Sequence, residues 1–323
     1  MKIYELEQIT SAMDVAQASV LIEQGFIAYA QGKVKVPPVQ NLVFTEDNGD
    51  CCVKTAWIEG EETFTIKIAT GFYDNPKKGL ASNDGMMLVF SATTGEPVAM
   101  LKDAGWLTAI RTALAGRIAA KHLAPRTVTG IGILGTGQQA RMQVEQLMTI
   151  TDCRQVFAWG RSTEALADYT RFAESLGFNV TTTLEAREVA QNANLIVTTT
   201  PSRKAVLKDD WIRPGTHITA VGSDNPGKQE LEAALVARAD LIVVDSLKQC
   251  VQYGELSHAV KSGLITECNQ ALLGEVLMGA REGRTTDEQI TIADLTGIAV
   301  QDAVISKCAM DFCNRQSQVR AGG

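Results

Sequence analysis

The sequence predicts an α/β protein in which a doubly wound parallel sheet is inserted into a mixed α+β domain. Three observations carry that expectation. Apolar, β-branched runs recur at residues 130–134, 155–159, 195–199, 217–221 and 241–244. Helical patterns separate them at 139–148, 163–176 and 231–239, and apolar strands alternating with helices belong to a parallel sheet covered on both faces. The first run also ends in a glycine-rich turn that opens a helix, IGILGTGQQA at 131–140.

The flanks have a different rhythm. Residues 14–30 have apolar spacing suited to a helix, closed by Gly32 and Pro37-Pro38. Strand-like runs follow at 41–45, 51–57 and 63–70, divided by turn chemistry such as Glu46-Asp47-Asn48-Gly49. Residues 85–91 and 97–102 bracket Thr93-Thr94-Gly95-Glu96 as a hairpin, and 108–123 is an alanine-rich helix without proline. Residues 297–314 form a last helix. The expected division is 1–124, 125–297 and 298–323, with the final helix returning to the first part.

Composition excludes several functions. The 323 residues hold 30 Lys and Arg against 37 Asp and Glu, a net charge of −7. An acidic chain without charge blocks is a poor coat for nucleic acid. No apolar run approaches the ~18 residues of a membrane span, and MKIYELEQIT lacks the pattern of a secretory leader. Seven cysteines without C-x-x-C fit reduced thiols in a cytoplasm. Three scattered histidines, without ligand spacing, predict no metal site.

The glycine turn has the form G-x-G-x-x-A. Gly135 permits the tight turn, Gly137 lets the backbone approach a pyrophosphate, and Ala140 lets helix and strand pack closely. The helix start offers free N–H groups to an anion. Gly135, Thr136, Gly137, Gln138, Gln139 and Ala140 are therefore expected to bind a dinucleotide on a Rossmann-type sheet. The next strand ends Ala158-Trp159-Gly160-Arg161-Ser162, with no carboxylate to read the adenosine ribose. Arg161 and Ser162 suit a 2′-phosphate, which favours NADP(H) and leaves NAD(H) open. Thr199-Thr200-Pro201, Val221-Gly222-Ser223 and Leu295-Thr296-Gly297 also follow strands. They line the nicotinamide end of such a site, or serve only as turns.

Cations in the first part point to an anionic ligand. Lys67 alternates with Thr65 and Ala69 on one face of an apolar strand, where a lysine either escapes at an edge or meets an anion. Arg111, on the alanine-rich helix, could grip a carboxylate with both arms. Lys54 is a third, weaker candidate. Each also suits an ordinary salt bridge. Asp224 follows the strand at 217–221, where a carboxylate could hold an ammonium or relay a proton, or cap a turn.

Together these segments resemble the ornithine cyclodeaminase/mu-crystallin family over residues 30–310. The resembling blocks are KIATGFYDNP at 67–76, LTAIRTALA at 107–115, ILGTGQQA, HITAVGSDNPGKQEL, Tyr253-Gly254-Glu255-Leu256 and TIADLTGIAVQD. They look closest to the branch with iminosuccinate reductase, ectoine-utilisation proteins and basic amino-acid dehydrogenases. The resemblance implies a homodimer, a substrate-binding and dimerisation domain built from both chain ends, and NAD(P)-linked hydride chemistry at an amino-acid Cα–N bond. It implies Lys67 and Arg111 on the substrate carboxylate, with Lys67 and Asp224 as the catalytic candidates and Asp224 on the substrate nitrogen. Many members carry a basic residue after the two prolines. Here Val39-Gln40 follow, so Gln40 is the expected substrate contact and Lys54 a conjectured substitute. Three activities result: an imine reductase or amino-acid dehydrogenase first, ornithine cyclodeaminase second, and a non-catalytic NADPH-dependent binding protein third.

Overall fold

The structure is a computed structural model describing residues 1–322, with side chains through residue 318. The chain divides into two compact units, Met1–Arg111 with the chain from Ile298 onward, and Thr112–Gly297.

The first unit opens with β1 (Lys2–Glu5), α1 (Leu6–Ala12) and α2 (Val15–Ala30). Asp14 caps α2 by accepting from the Gln17 amide at 2.9 Å, satisfying one of the donors a helix start leaves open. Then come β2 (Val34–Lys35), β3 (Gln40–Phe44), β4 (Gly49–Ile58), β5 (Thr63–Phe72), β6 (Asn83–Ser91), β7 (Pro97–Lys102) and α3 (Trp106–Leu123). The strands form one sheet in the order β1-β7-β6-β5-β4-β2, with β3 also paired to β4. Register places Lys54 opposite Lys67, Lys67 opposite Met87, and Met87 opposite Leu101. Directly opposed residues share a face, so two lysines stand in a row that continues into fully buried Met87 and Leu101. The C-terminal helix (Ala299–Gly322) covers this face, where Ser306 Oγ lies 2.7 Å from Thr65 Oγ1.

The division falls inside α3, after Arg111, and not at residue 124. No loop separates the units there. The end of α3 joins the second unit's core through Ala120, which packs with Ile131, Ala140 and Val144.

The second unit runs β8 (Ile131–Leu134), α4 (Gln138–Leu147), β9 (Gln155–Trp159), α5 (Thr163–Ser175), β10 (Asn179–Thr183), α6 (Ala186–Asn192) and β11 (Leu195–Thr198). It continues with β12 (Arg203–Leu207), β13 (His217–Ala220), β14 (Gln229–Leu231), α7 (Ala233–Arg238), β15 (Leu241–Val244), α8 (Leu247–Tyr253), α9 (Glu255–Lys261), β16 (Ala271–Leu272), α10 (Leu273–Leu277) and β17 (Thr291–Asp294). Eight strands pair in the order β10-β9-β8-β11-β13-β17-β15-β16, all parallel. Alternate strand residues feed two cores. Leu134, Ile196, Ile218 and Ile292 pack on one face, and Ile131, Ile133, Leu195 and Val197 on the other. Strand order reverses between β8 and β11, and that crevice is where open parallel sheets take ligands.

Several elements differ from the sequence expectation. The helix expected over 231–239 is α7, and the residues before it are β14, which pairs with β12 in a separate two-stranded sheet. The edge strand β10, Asn-Val-Thr-Thr-Thr, carries almost no apolar signal, because an edge needs little burial.

Tyr169 on α5 is completely buried, and its hydroxyl has no hydrogen-bond partner among the described residues. A polar group left so is a cost. Tyr169→Phe should therefore leave stability unchanged or raise it by up to about 1 kcal/mol. Urea unfolding measures this, and a loss of that size would contradict it.

Candidate active site

The glycine turn after β8 has the geometry its sequence requires. Gly135 has φ +122°, and a Cβ there would strike the Thr199 hydroxyl. Gly137 is the N-cap of α4 with no side-chain cap, and a Cβ on it would meet nothing within 4 Å. Gln138 and Gln139 open the helix, and Ala140 is fully buried against the strands. This open cradle of uncapped amides fits a dinucleotide pyrophosphate. The Gly135 amide donates to the Trp159 carbonyl at 2.9 Å, and Thr136 lies against Gly160, so the end of β9 adjoins the turn. Arg161 is exposed there, whereas Ser162 is engaged as the N-cap of α5, accepting from the Ala165 amide. Capping and phosphate binding use the same residue type, which is why the sequence alone left both open.

The remaining strand-end loops are laced together by hydrogen bonds. Thr199 Oγ1 donates to the Leu134 carbonyl at 3.0 Å, Val221 N to the Thr198 carbonyl at 3.1 Å, and Leu295 N to the Ala220 carbonyl at 3.0 Å. Ser223 Oγ lies 3.0 and 3.2 Å from the carbonyls of Lys228 and Tyr253, while Pro201 is exposed. Buried carboxylates hold several of these loops. Asp245 accepts from Thr296 Oγ1 at 2.9 Å and from the Gly297 amide at 2.6 Å. Glu230 accepts from Thr200 N, Thr198 Oγ1 and Gly222 N. Asp294 accepts from Leu256 N at 2.9 Å. Burial pushes Glu230 and Glu255 above their ordinary range, against the pull of their hydrogen bonds, and raises Asp294 to about 7. Asp224, half exposed, pairs with Lys228 Nζ at 2.7 Å.

In the first unit the expected cations converge. Lys67 Nζ lies 2.9 Å from Asp302 Oδ2, and Arg111 Nε lies 3.1 Å from Asp302 Oδ1. Arg111 Nη1 also donates to Gln301 Oε1 at 2.8 Å. Lys54, Lys67, Arg111, Gln301 and Asp302 are all at most 5% exposed. Burial lowers Lys67 to about 8, and the Arg111 charge adds to that while Asp302 opposes it. For Asp302 burial acts to raise the pKa, but Lys67, Arg111 and Lys54 together outweigh it and hold the carboxyl below its ordinary value. Asp103, whose Oδ2 accepts from Leu107 N at 2.8 Å, is raised to about 6 by burial. Two buried cations thus meet on one buried carboxylate, with Lys54 close enough to add to their hold on it.

Gln40 does not join this cluster. It is exposed and pairs with Val53, whose side chain alternates to the face away from Lys54 and Lys67. Period-two alternation separates it from them, so a contact between Gln40 and substrate stands apart from this cluster. Asp302, Gln301, Asp103 and Glu230 were not singled out by residue patterns. Asp302 closes the DLTG-x-x-x-QD block and Glu230 lies in K-x-E-L, which were the available signals.

Comparison with known proteins follows the same lines. The model of the ornithine cyclodeaminase/mu-crystallin family matches residues 2–316. An uncharacterized cyclodeaminase of Sinorhizobium fredii is 42% identical over 300 residues, 91% of this chain and 90% of that one. An archaeal alanine dehydrogenase, solved as a dimer with bound NAD, superposes with a TM-score of 0.90 at 35% identity, covering 98% of this chain and 97% of its own. The Thermococcus litoralis Δ1-pyrroline-2-carboxylate reductase, in complex with NADH and L-proline, gives 0.92 at 27% identity over 98% of both chains.

Asp302 is the carboxylate between Lys67 and Arg111, so removing its charge leaves buried cations facing one another. Asp302→Asn should cost about 3–5 kcal/mol, read as the fall in the urea unfolding free energy. A change below about 1 kcal/mol would mean that the cluster is hydrated like a surface pair.

Proposed function

The chain belongs to the ornithine cyclodeaminase/mu-crystallin family, and from that premise we propose that it is a nicotinamide-dependent reductase or dehydrogenase. It acts at the Cα–N bond of a small α-amino or α-imino acid. The observation that carries this reading is the buried pair of cations, Lys67 and Arg111, that meet on the two oxygens of Asp302. In this reading a substrate carboxylate meets the same two cations, and the fork of Arg111 fixes its plane. Gly135, Gly137 and the α4 amides hold the cofactor pyrophosphate. When bound, the nicotinamide supplies or accepts the hydride at Cα. Lys67 and Arg111 restrict the carboxylate so that Cα is presented in one orientation. In this reading Asp224 holds the substrate nitrogen and keeps it protonated, with Lys228 as the competing partner of its carboxylate.

A spectrophotometric panel tests the reading. NADH and NADPH are each offered with 1-pyrroline-2-carboxylate, with pyruvate or oxaloacetate plus ammonia, and with 2-oxo basic acids plus ammonia. Oxidation of either cofactor by one of these supports it. Cyclisation of L-ornithine with release of ammonia, and no reduction of any imine, establishes the cyclodeaminase instead; the likeness to the uncharacterized cyclodeaminase of Sinorhizobium fredii keeps that arm in the test. Tight cofactor binding with neither reaction leaves the binding-protein reading.

The homodimer belongs to the same proposal. The archaeal relative is a dimer, and β3 exposes Leu42 and Phe44 on one face and Val43 on the other, apolar groups suited to a second copy. Light scattering should give twice the chain mass.

Lys67 must be charged to hold a carboxylate, and its pKa of about 8 falls within the working range. The protonated form dominates below that value, so kcat/KM should be level there and fall tenfold per pH unit above it. Lys67→Gln should abolish that limb along with most activity. For the cofactor, Arg161 is the group available to a 2′-phosphate. Arg161→Ala should weaken NADPH binding about tenfold at low salt and leave NADH binding unchanged, as read by fluorescence titration.

A further inference from the structure

We propose that Glu230 is a positioning residue that sets the loops at the nicotinamide end of the cofactor site; this rests on the dinucleotide reading above. The side chain lies on β14, outside the eight-stranded sheet, and is fully buried. One oxygen accepts from the Thr200 amide at 2.5 Å, the other from Thr198 Oγ1 at 2.6 Å and the Gly222 amide at 2.8 Å. These donors come from the ends of two neighbouring strands, β11 and β13, on the side of the sheet's reversal that follows β8. Between and beside them stand Thr199, Pro201, Val221 and Ser223, the residues that follow the strands into the crevice.

Glu230 is itself fixed. Its own amide and that of Leu231 donate to the two oxygens of Glu255, at 2.8 and 2.9 Å, so one buried carboxylate holds the backbone that carries the other. Gly222 completes the device. A Cβ there would collide with the Thr200 carbonyl and would come within 2.5 Å of the Glu230 carboxyl. A loop needs no such brace merely to turn. Three donors from two loops meeting one carboxylate set the spacing between those loops, and through them the slot into which the nicotinamide half of the cofactor must fit. Among the described residues Glu230 bonds neither Gly135 nor Gly137; the link runs only through Thr199, which donates to the Leu134 carbonyl beside the cradle. The nicotinamide half of the cofactor is therefore expected to respond to Glu230 more than the pyrophosphate half.

Glu230→Gln keeps the shape but carries one acceptor oxygen and one amide group. In either orientation a backbone N–H, of Thr200 or of Gly222, then faces a donor. The test measures dissociation constants of NADH and NADPH by fluorescence, and of ADP-ribose and its 2′-phosphate by calorimetry. Thermal unfolding of the ligand-free protein is followed in parallel. The expected result is at least tenfold weaker binding of the reduced cofactor, with the matching ADP-ribose within twofold of wild type. If Glu230→Gln lacks a cooperative melt, Thr198→Val removes a single donor at nearly constant shape. That variant should weaken the reduced cofactor at least threefold and leave ADP-ribose unchanged.

Wild-type affinity for the reduced cofactor in a folded variant overturns the proposal. Equal loss of both ligand types overturns it as well, since that is the signature of a general structural role. A wild-type protein that binds none of the four nucleotides removes the dinucleotide reading, and this proposal with it.

Discussion

Burying a charged side chain is costly unless an opposite charge accompanies it, and the first unit is organised by that constraint. The pairing of β4 with β5 sets two lysines side by side in an apolar layer, and α3 adds an arginine. Asp302, on the C-terminal helix, is the carboxylate that makes this combination tolerable. A helix from the far end of the chain must therefore return to the first unit, and the sequence in between is free to form a unit of its own.

The second unit answers a different constraint. A parallel sheet delivers all its strand ends to one edge, where the backbone leaves the ladder and its amides need new acceptors. Threonine hydroxyls and the carbonyls of neighbouring strands meet some of that need. Glu230, Asp245, Glu255 and Asp294 meet much of the rest, and burial holds Glu230, Glu255 and Asp294 above their ordinary range. The edge becomes a set of loops fixed relative to one another, and this is the rigidity on which a precise hydride geometry depends.

How much of this could be read beforehand varies with the range of the interaction. The glycine turn was legible because its geometry is local: a positive φ at Gly135 and an open face at Gly137 are properties of a few consecutive residues. Lys67 was legible because alternation within one strand marks it as inward-facing. Asp302 was not, since nothing in its own helix says which distant lysine it meets. Glu230 is surrounded by donors from two separate strand ends, so its role exists only once the sheet is assembled. Gln40 was singled out only by the resemblance, and the face it takes was set by strand pairing that its own residues do not announce. The boundary within α3 has no sequence marker at all, because the helix runs through it unbroken.

Gly222 carries an implication for how such a chain can vary. Position 222 has no room for a side chain while the Glu230 carboxyl and the Thr200 carbonyl occupy the space beside it. The Thr200 carbonyl alone already demands glycine at 222, and the Glu230 carboxyl demands it a second time. The constraint therefore runs one way: a side chain at 222 strikes the backbone of Thr200 whatever stands at 230. A smaller residue at 230 leaves the amides of Thr200 and Gly222 without acceptors but opens no room at 222. Gly222 should therefore outlast changes at position 230 among descendants of this sequence.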